Sequence, residues 1–312
     1  MIMDSSTAEF CKLGEGIYQQ LIKHEGIQFI FCPASLGDTV NVGAFLKTFK
    51  KIHGIKTVVI VAHEHHKSLT SIFTGMDEAV FLSEIENIGL RFYLSINKMH
   101  DTKNVRYGYF PMRGEELWEG DHEMFVSFVD EYKAKILDIP PDSQIDEIRI
   151  PEIDPANADR FRDCVLLMPF CRSFTKCHEV PLWRMLTEYY KERGKRVYTN
   201  VGNPEDKAIE GTEALSLEVA ELLAYSDQFY KIIGMRGGIF DVLALRDDVR
   251  LDVITPELFS RFWGKCEVDI TRHPLYFGLK NLNPNAKVRE YSYNIGCEES
   301  LIREINSSNA VY

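Results

Sequence analysis

The sequence predicts an α/β fold made of two doubly wound domains that face each other across a cleft. Short apolar runs alternate with helical patterns along the chain, and a proline-rich acidic segment at 139–159 interrupts this alternation near the middle. Strands that alternate with helices over short loops predict parallel sheets with helices on both faces. Proline-rich polar segments are typical of linkers, and 312 residues suffice for two ordinary domains. We expect an N-terminal domain over 1–150 and a C-terminal domain over 151–312.

In the first domain, recurring apolar residues at about helical spacing predict helices at 8–24, 40–52, 65–73 and 121–137. Short apolar runs bounded by turns predict strands at 27–32, 56–62, 91–96 and 105–110. After the linker, predicted strands at 164–168, 196–200, 227–233 and 249–254 alternate with predicted helices at 179–193, 215–224 and 239–245.

The composition argues against several function classes. The net charge of −11 argues against a nucleic-acid partner, because phosphate backbones need a basic face. The apolar runs are too short to span a bilayer, and the first residues lack the basic and apolar regions of a secretory signal. The seven cysteines are scattered in apolar patterns, which is typical of reduced thiols. We expect a cytoplasmic protein without a transmembrane segment, and peripheral contact with a membrane surface remains open.

The most informative segment is Gly-Met-Arg-Gly-Gly-Ile-Phe-Asp at 234–241, which follows an apolar run and opens a helical pattern. Backbone N–H groups at a helix start can bind an anion, and glycines let the ligand approach the backbone closely. Arg236, Gly237 and Gly238 are therefore candidate phosphate ligands. The alternative is a glycine turn that only joins a strand to a helix.

A second candidate anion site follows the first strand after the linker. Arg172, Ser173, Thr175 and Lys176 lie at the carboxyl end of that strand, where doubly wound sheets bind their ligands. Two cations and two hydroxyls suit a diphosphate. A solvated basic loop is the alternative for this segment alone, but together with Arg236 in the same domain the pattern favours phosphate binding.

Two carboxylates also follow predicted strands. Asp38, in Gly-Asp-Thr-Val, is either the cap of the next helix or a general base, and one side chain can serve both roles. Glu205, in Gly-Asn-Pro-Glu, either accepts hydrogen bonds from ribose or sugar hydroxyls or belongs to an ordinary polar loop.

We predict no metal and no resident cofactor. The His-Glu-His-His run at 63–66 lacks a histidine one helical turn after the first, because Lys67 stands there. Cys171, Cys177 and His178 lack a second ligand pair of the spacing that zinc sites use.

The order of these motifs resembles the bacterial heptosyltransferases, which are the ADP-heptose-using glycosyltransferase family 9, and the wider GT-B glycosyltransferases. The shared features are Gly-Asp-Thr-Val after the first strand, a lysine loop with a downstream tryptophan, a Gly-x-x-Glu loop, a Leu-Ser-Leu-Glu helix, and a strand that runs into Gly-x-x-x-Gly. The resemblance implies roles for individual residues: Asp38 as catalytic base, Lys176 with Ser173 and Thr175 at the donor phosphates, Glu205 at the donor nucleoside, and Gly238 in the last motif.

The chain departs from the family in two motifs. In the last motif, Arg236 replaces an aspartate and Asp241 stands in the place of a histidine. In the lysine loop, the tryptophan comes later, at Trp183. These departures leave the donor sugar and the acceptor open.

The sequence thus predicts a glycosyltransferase with two Rossmann-like domains, hexosyl or heptosyl in type. A nucleotide sugar would bind the C-terminal domain as co-substrate, and a glycan or glycolipid acceptor would bind the N-terminal domain. Transfer would need no metal, because protein cations can stabilise the leaving diphosphate. Two alternatives remain: a nucleotide-sugar epimerase or hydrolase of the same fold, and a non-catalytic binding protein.

Overall fold

The computed structural model describes residues 5–33, 35–97, 99, 102, 104–108, 127–171, 180–256 and 278–307. The chain divides into two compact units, Met1–Arg149 and Ile150–Tyr312. Each unit contains a sheet in which every strand pair is parallel. The predicted α/β class with two parallel sheets is therefore confirmed, whereas the acceptor and donor roles of the units stay predictions.

The first unit is built around a four-stranded sheet with the order β3-β2-β1-β4. Strands β1 and β2 are apolar along most of their length because they are buried by elements on both faces. The strands are β1 Ile27–Cys32, β2 Thr57–His63, β3 Glu78–Leu82 and β4 Val105–Tyr107. The helices are α1 Ser5–Leu21, α2 Leu36–Gly43, α3 Leu46–His53, α4 Lys67–Thr70, α5 Glu84–Ile96 and α6 Phe128–Glu131, and a π-helical segment, Tyr132–Leu137, continues α6.

The prediction of a strand at 91–96 is wrong, because these residues form the end of helix α5. Ser83 caps the start of the helix, and its backbone N–H and hydroxyl both donate to the Glu86 carboxylate in a capping box. The helix packs against α1 where two glycines meet: a Cβ on Gly14 would lie 2.1 Å from the carbonyl oxygen of Gly89. The predicted helix at 40–52 is two helices, α2 and α3.

The second unit is built around a six-stranded sheet with the order β10-β9-β8-β5-β6-β7. The strands are β5 Val165–Met168, β6 Val197–Asn200, β7 Glu213–Leu215, β8 Lys231–Met235, β9 Arg250–Pro256 and β10 Lys287–Tyr293. The helices are α7 Leu182–Lys191, α8 Val219–Tyr225, α9 Gly238–Leu243, α10 Leu279–Leu282 and α11 Glu298–Ser307. The strand predicted at 227–233 begins only at Lys231, because a 3₁₀ turn, Ser226–Gln228, follows α8.

The strand orders fix where each unit can bind a ligand. Numbered within its own unit, the second sheet runs 3-2-1-4-5-6, which is the order of dinucleotide-binding folds. The first sheet runs 3-2-1-4. In such sheets, ligands bind outside the carboxyl ends of the strands, where the strand order reverses. This switch point lies between β1 and β4 in the first unit and between β5 and β8 in the second.

A buried ionic cluster joins the second sheet to its C-terminal helix. Asp252 is fully buried; Arg289 Nε donates to its Oδ1 over 2.8 Å, and Lys231 Nζ lies 3.2 Å from its Oδ2. Both cations also donate to the carbonyl oxygen of Ile305 in α11. Within the described ranges, no helix is long and apolar enough to cross a membrane.

Candidate functional site

The predicted base, Asp38, lies in the first turn of α2, directly after the strand β1 at the switch point of the first unit. The backbone N–H and the hydroxyl of Ser35 donate to Asp38 Oδ2 over 2.8 and 2.7 Å. The Asp38 N–H faces the same hydroxyl at 3.4 Å, which completes a capping box. The capping role is therefore present, and the catalytic role stays a prediction.

A third donor to Asp38 comes from far along the chain. Tyr132, fully buried at the start of the π-helical segment, donates its hydroxyl to Asp38 Oδ1 across 94 residues of sequence. Hydrogen bonds to a carboxylate favour its charged form. Burial and the nearby Asp38 charge in turn raise the pKa of the Cys32 thiol, which keeps that cysteine protonated and unreactive. Sequence reasoning missed Tyr132, because no local pattern reports so distant a partner.

The histidine run after β2 has structural contacts. His63 Nδ1 accepts from the backbone N–H of His65 over 3.2 Å and so caps a 3₁₀ turn. His66 is buried, with its Nδ1 2.9 Å from the hydroxyl of Thr39 in α2. No group of three metal-ligating side chains occurs in the part of the chain that the structure describes. The absence of a metal from the reaction stays a prediction.

At the switch point of the second unit, the loops that follow β5 and β8 touch each other. The Cys171 thiol after β5 donates to the carbonyl oxygen of Arg236 after β8 over 3.1 Å. A Cβ on Gly234 would lie 2.6 Å from Met168, and one on Gly237 would lie 3.0 Å from Cys171 Sγ. Glycine is therefore needed for the close packing of β8 against β5 at Gly234 and of the two following loops at Gly237, whereas the approach of a ligand to this backbone stays a prediction.

Arg236, predicted as a phosphate ligand, is held by an internal partner. Its two terminal nitrogens donate to the two Asp241 carboxylate oxygens over 2.9 and 2.7 Å, and one of them also donates to the Gly237 carbonyl oxygen. The side chains of Arg236 and Asp241 are only 13% and 8% exposed. Helix α9 begins at Gly238 and has six residues. The roles of Arg236, Gly237 and Gly238 toward a donor stay predictions.

A second carboxylate lies near this pair. Burial raises the pKa of Glu290, in β10, to about 7, although Arg236 and the Leu279 N–H both act to lower it. The Leu279 N–H lies 3.3 and 3.4 Å from the two Glu290 carboxylate oxygens. Burial lowers the pKa of Arg236, but the charges of Asp241 and Glu290 outweigh this effect and hold the pKa above its ordinary value. Sequence reasoning missed Glu290, because its strand was not predicted.

Five predicted donor ligands remain, and the structure tests the role of none of them. Glu205 lies exposed in the loop after β6, and its contact with a nucleoside stays a prediction. The other four predicted ligands fall in 172–179, outside the described residues, and also stay predictions: Arg172, Ser173, Thr175 and Lys176.

Comparison with solved structures identifies the fold of the chain. No protein-family model matches the chain, and no curated protein matches it in sequence. Among solved structures, the fold is similar to a glycosyl transferase family 9 protein from Veillonella parvula, with a TM-score of 0.55 at 11% identity over 90% of this chain and 89% of that one.

Two heptosyltransferases show the same likeness. E. coli ADP-heptose lps heptosyltransferase II gives a TM-score of 0.56 at 12% identity, over 90% of this chain and 97% of that one. E. coli heptosyltransferase WaaC with ADP gives 0.55 at 13% identity, over 90% and 99%. At these identities the likeness establishes a shared fold. The predicted resemblance in fold to family 9 heptosyltransferases is confirmed.

Proposed function

We propose that the protein is a glycosyltransferase that moves a hexose or heptose from a nucleoside diphosphate to a hydroxyl of a glycan or glycolipid. The observation that carries this proposal is the likeness in fold, over 90% of the chain, to three family 9 structures. The strand order of the second unit, which is that of dinucleotide-binding folds, is consistent with a nucleotide donor. Because one of the similar structures holds ADP, an adenine nucleotide is the first donor class to test.

Transfer forms a bond between the acceptor oxygen and the anomeric carbon, and it breaks the bond between that carbon and the diphosphate. In this proposal, Asp38 takes the proton of the acceptor hydroxyl as general base. Arg172 and Lys176 neutralise the diphosphate as it leaves, while Ser173 and Thr175 donate hydrogen bonds to it. Since protein cations carry out this stabilisation, the transfer proceeds without a metal or cofactor.

The nucleoside end of the donor lies near the loops that follow β6 and β8 in this proposal. Glu205 accepts a hydrogen bond from the nucleoside, and Gly237 and Gly238 let the diphosphate approach the backbone. A cytoplasmic location, and peripheral contact with a membrane when the acceptor is a glycolipid, belong to the same proposal.

Nucleotide binding tests the donor part. Thermal shift and calorimetry with a panel of nucleoside diphosphates and their sugars test this binding. The compounds that carry one particular nucleobase should raise the melting temperature, because they bind the folded state. Lys176→Ala should weaken that binding. A wild-type protein that binds no member of the panel would refute the proposal, and an unchanged affinity in Lys176→Ala would remove Lys176 from the site.

Turnover tests the base. Asp38→Asn should lower turnover by about 10²–10⁴-fold with little change in nucleotide affinity, which is the usual contribution of general-base catalysis. Ser35→Ala is the matched control, because it removes a capping hydroxyl and keeps the carboxylate. Full activity of Asp38→Asn would exclude Asp38 as the base.

A nucleotide-binding protein without transfer activity is the second candidate. One observation favours it: Asp38 is 7% exposed and accepts hydrogen bonds on both carboxylate oxygens. Nucleotide binding without release of sugar, with or without acceptors, would support this candidate. An isomerised or hydrolysed donor in the absence of acceptor would instead indicate the epimerase or hydrolase.

A further inference from the structure

The carboxylate of Asp38 is held by donors from two parts of the chain that are far apart in sequence. The backbone N–H and the hydroxyl of Ser35 donate to Oδ2, and the hydroxyl of Tyr132 donates to Oδ1. The first hold belongs to the capping box of α2, whereas the second comes from the π-helical segment, Tyr132–Leu137. Donors on both oxygens oppose rotation of the carboxylate about its bond to Cβ.

The ring of Tyr132 is fixed by packing as well as by this hydrogen bond. The residue is fully buried, and its ring meets the ring of Phe128, one helical turn earlier, with the two centroids 4.9 Å apart. A tyrosine side chain has only two rotatable bonds, so a fixed ring also fixes the position of the hydroxyl oxygen. The packing of the segment therefore determines where the donor to Asp38 lies.

Side chains from two other elements anchor the far turn of the π-helical segment. Arg106, in β4, donates to the carbonyl oxygen of Ile136 over 3.0 Å, and His53 Nε2, at the end of α3, donates to the carbonyl oxygen of Leu137 over 2.9 Å. π-helical turns are rare and occur frequently at functional sites. Because these anchors do not involve the hydroxyl of Tyr132, its removal should leave the segment in place.

The direction of the Asp38 carboxylate is important because only 7% of the residue is exposed. A catalytic group must be held within about 0.5 Å and 10–20° of its productive geometry, and a misplacement of about 1 Å can lower a rate 10²-fold. If Ser35 held Oδ2 and nothing held Oδ1, the carboxylate could turn about its Oδ2 contacts. The Tyr132 hydroxyl opposes that movement.

We propose that Tyr132 is a positioning residue for the base: its hydroxyl holds Asp38 Oδ1 so that the carboxylate is directed at the acceptor hydroxyl. This inference rests on the proposed function, in which Asp38 takes the proton of the acceptor. Tyr132 acts through Asp38 and is too deeply buried to contact the acceptor itself.

Steady-state kinetics of Tyr132→Phe test this role, with the nucleotide sugar that the thermal-shift panel identifies and an acceptor that supports wild-type turnover. The kcat should fall by about 10- to 100-fold, because the base is misplaced. The KM for the nucleotide sugar and the calorimetric affinity for the nucleoside diphosphate should stay unchanged, because in the proposed function the donor binds the second unit.

Tyr190→Phe is the matched control. Tyr190 is also a buried tyrosine whose hydroxyl donates to a side-chain oxygen, Asn306 Oδ1, over 2.7 Å, but it lies in the second unit, in the core beside α11. This variant loses the same kind of hydrogen bond and should keep the wild-type kcat.

A double-mutant cycle with Asp38→Asn distinguishes action through the carboxylate from a general effect on the fold. Asp38→Asn has already lost the base, so the addition of Tyr132→Phe should lower turnover no further. Two independent effects would instead multiply.

Incorporation of 3-fluorotyrosine at position 132 gives a second test, which keeps the ring and the hydroxyl and does not depend on whether Tyr132→Phe folds. The fluorine makes the hydroxyl a stronger donor, which favours the charged form of Asp38. Because the base must be charged to act, the acidic limb of the kcat/KM profile should move to lower pH. The titratable groups next to this contact are the same in both proteins, and they include Cys32, His66 and Glu131. An acidic limb at the wild-type position would overturn the inference.

The outcomes separate this inference from the proposed function. A wild type that transfers no sugar refutes both. If the wild type is active, an unchanged kcat in Tyr132→Phe overturns the positioning role and leaves the transfer reaction in place. Equal losses from Tyr132→Phe in the wild type and in Asp38→Asn overturn it as well, because Tyr132 then acts only on the fold.

Discussion

The Arg236–Asp241 pair should carry much of the stability of the loop that follows β8. Asp241→Asn keeps the shape of the side chain and removes its charge. Loss of one partner from a buried ion pair costs about 3–5 kcal/mol, because the other charge is left buried without compensation. Arg236 is 13% exposed, and Glu290 supplies a second negative charge near it. We therefore expect a loss at the lower end of that range, about 3 kcal/mol of unfolding free energy.

Urea unfolding followed by tryptophan fluorescence measures this loss, since Trp183 is fully buried in the core of the same unit. Asp248→Asn is the matched control. Asp248 also holds an arginine through two hydrogen bonds, but its side chain is 54% exposed, and Arg246 keeps Asp227 as a second partner. The control should cost about 1 kcal/mol or less, because the Asp248 carboxylate is largely hydrated and the buried Arg246 keeps Asp227. Equal stabilities of the two variants would refute the reasoning.

The same variant also tests whether Arg236 can bind a diphosphate. If the guanidinium exchanges the Asp241 carboxylate for a phosphate, ADP should stabilise Asp241→Asn more than it stabilises the wild type, because the ligand then replaces a lost partner. At 100 times its dissociation constant, a ligand stabilises the folded state by about 2.7 kcal/mol. The two proteins are compared at the same ADP concentration. If ADP then stabilises the variant and the wild type equally, Arg236 has a structural role only.

Three further changes test other contacts. Because burial holds the pKa of Glu290 at about 7, above its ordinary 4.5, the folded protein binds more protons than the unfolded chain between these values. Stability should therefore fall as the pH rises through that window, and Glu290→Gln should remove this part of the slope in urea unfolding. Tyr132→Phe should cost about 1.5–3 kcal/mol in the same assay, because it removes a hydrogen bond to the buried Asp38 carboxylate. In α1, Gly14→Ala should lower the melting temperature, because its Cβ would lie 2.1 Å from a carbonyl oxygen of α5; Gly16→Ala, with open space around it, should gain up to about 1 kcal/mol.

Each of these expectations has an outcome that contradicts it. The same pH slope in Glu290→Gln and the wild type would mean that Glu290 titrates normally. A Tyr132→Phe protein as stable as the wild type would mean that the hydroxyl does not hold Asp38. Equal melting temperatures for Gly14→Ala and Gly16→Ala would mean that helices α1 and α5 do not meet at the glycines.

The parts of the fold that the sequence predicts are those with strong local patterns. Strands β1, β2 and β5 are short, mostly apolar runs within a parallel sheet, and such runs are the clearest strand signal. The edge strands β3, β7 and β10 were missed; β7 has only three residues and β10 carries three charged residues, so neither of these two forms a continuous apolar run. Helix α5 was misread because 91–96 is apolar and aromatic, whereas its start signal at Ser83 and Glu86 lies one to two turns earlier.

The residues of the candidate site also divide into those with a local sequence signal and those without one. Asp38 and the glycine-rich segment carry local signals, because capping and tight turns are set by neighbours in sequence. Tyr132 and Glu290 carry none. Each of these two side chains gains its meaning from a partner far away in sequence, Asp38 for Tyr132 and Arg236 for Glu290, which only the folded chain brings near.

Arg236 and Asp241, the two residues at which the glycine-rich segment differs from the family pattern that it resembles, form one ion pair. An arginine at 236 without a carboxylate nearby would be a buried unpaired cation, and an aspartate at 241 without the arginine would be a buried unpaired anion; together they form a bidentate pair. The pair also constrains the chemistry of the loop. The N–H groups of Arg236 that hold Asp241 cannot hold a diphosphate at the same time. A donor must therefore either displace the carboxylate or bind through other groups, and the response of Asp241→Asn to ADP distinguishes these two modes.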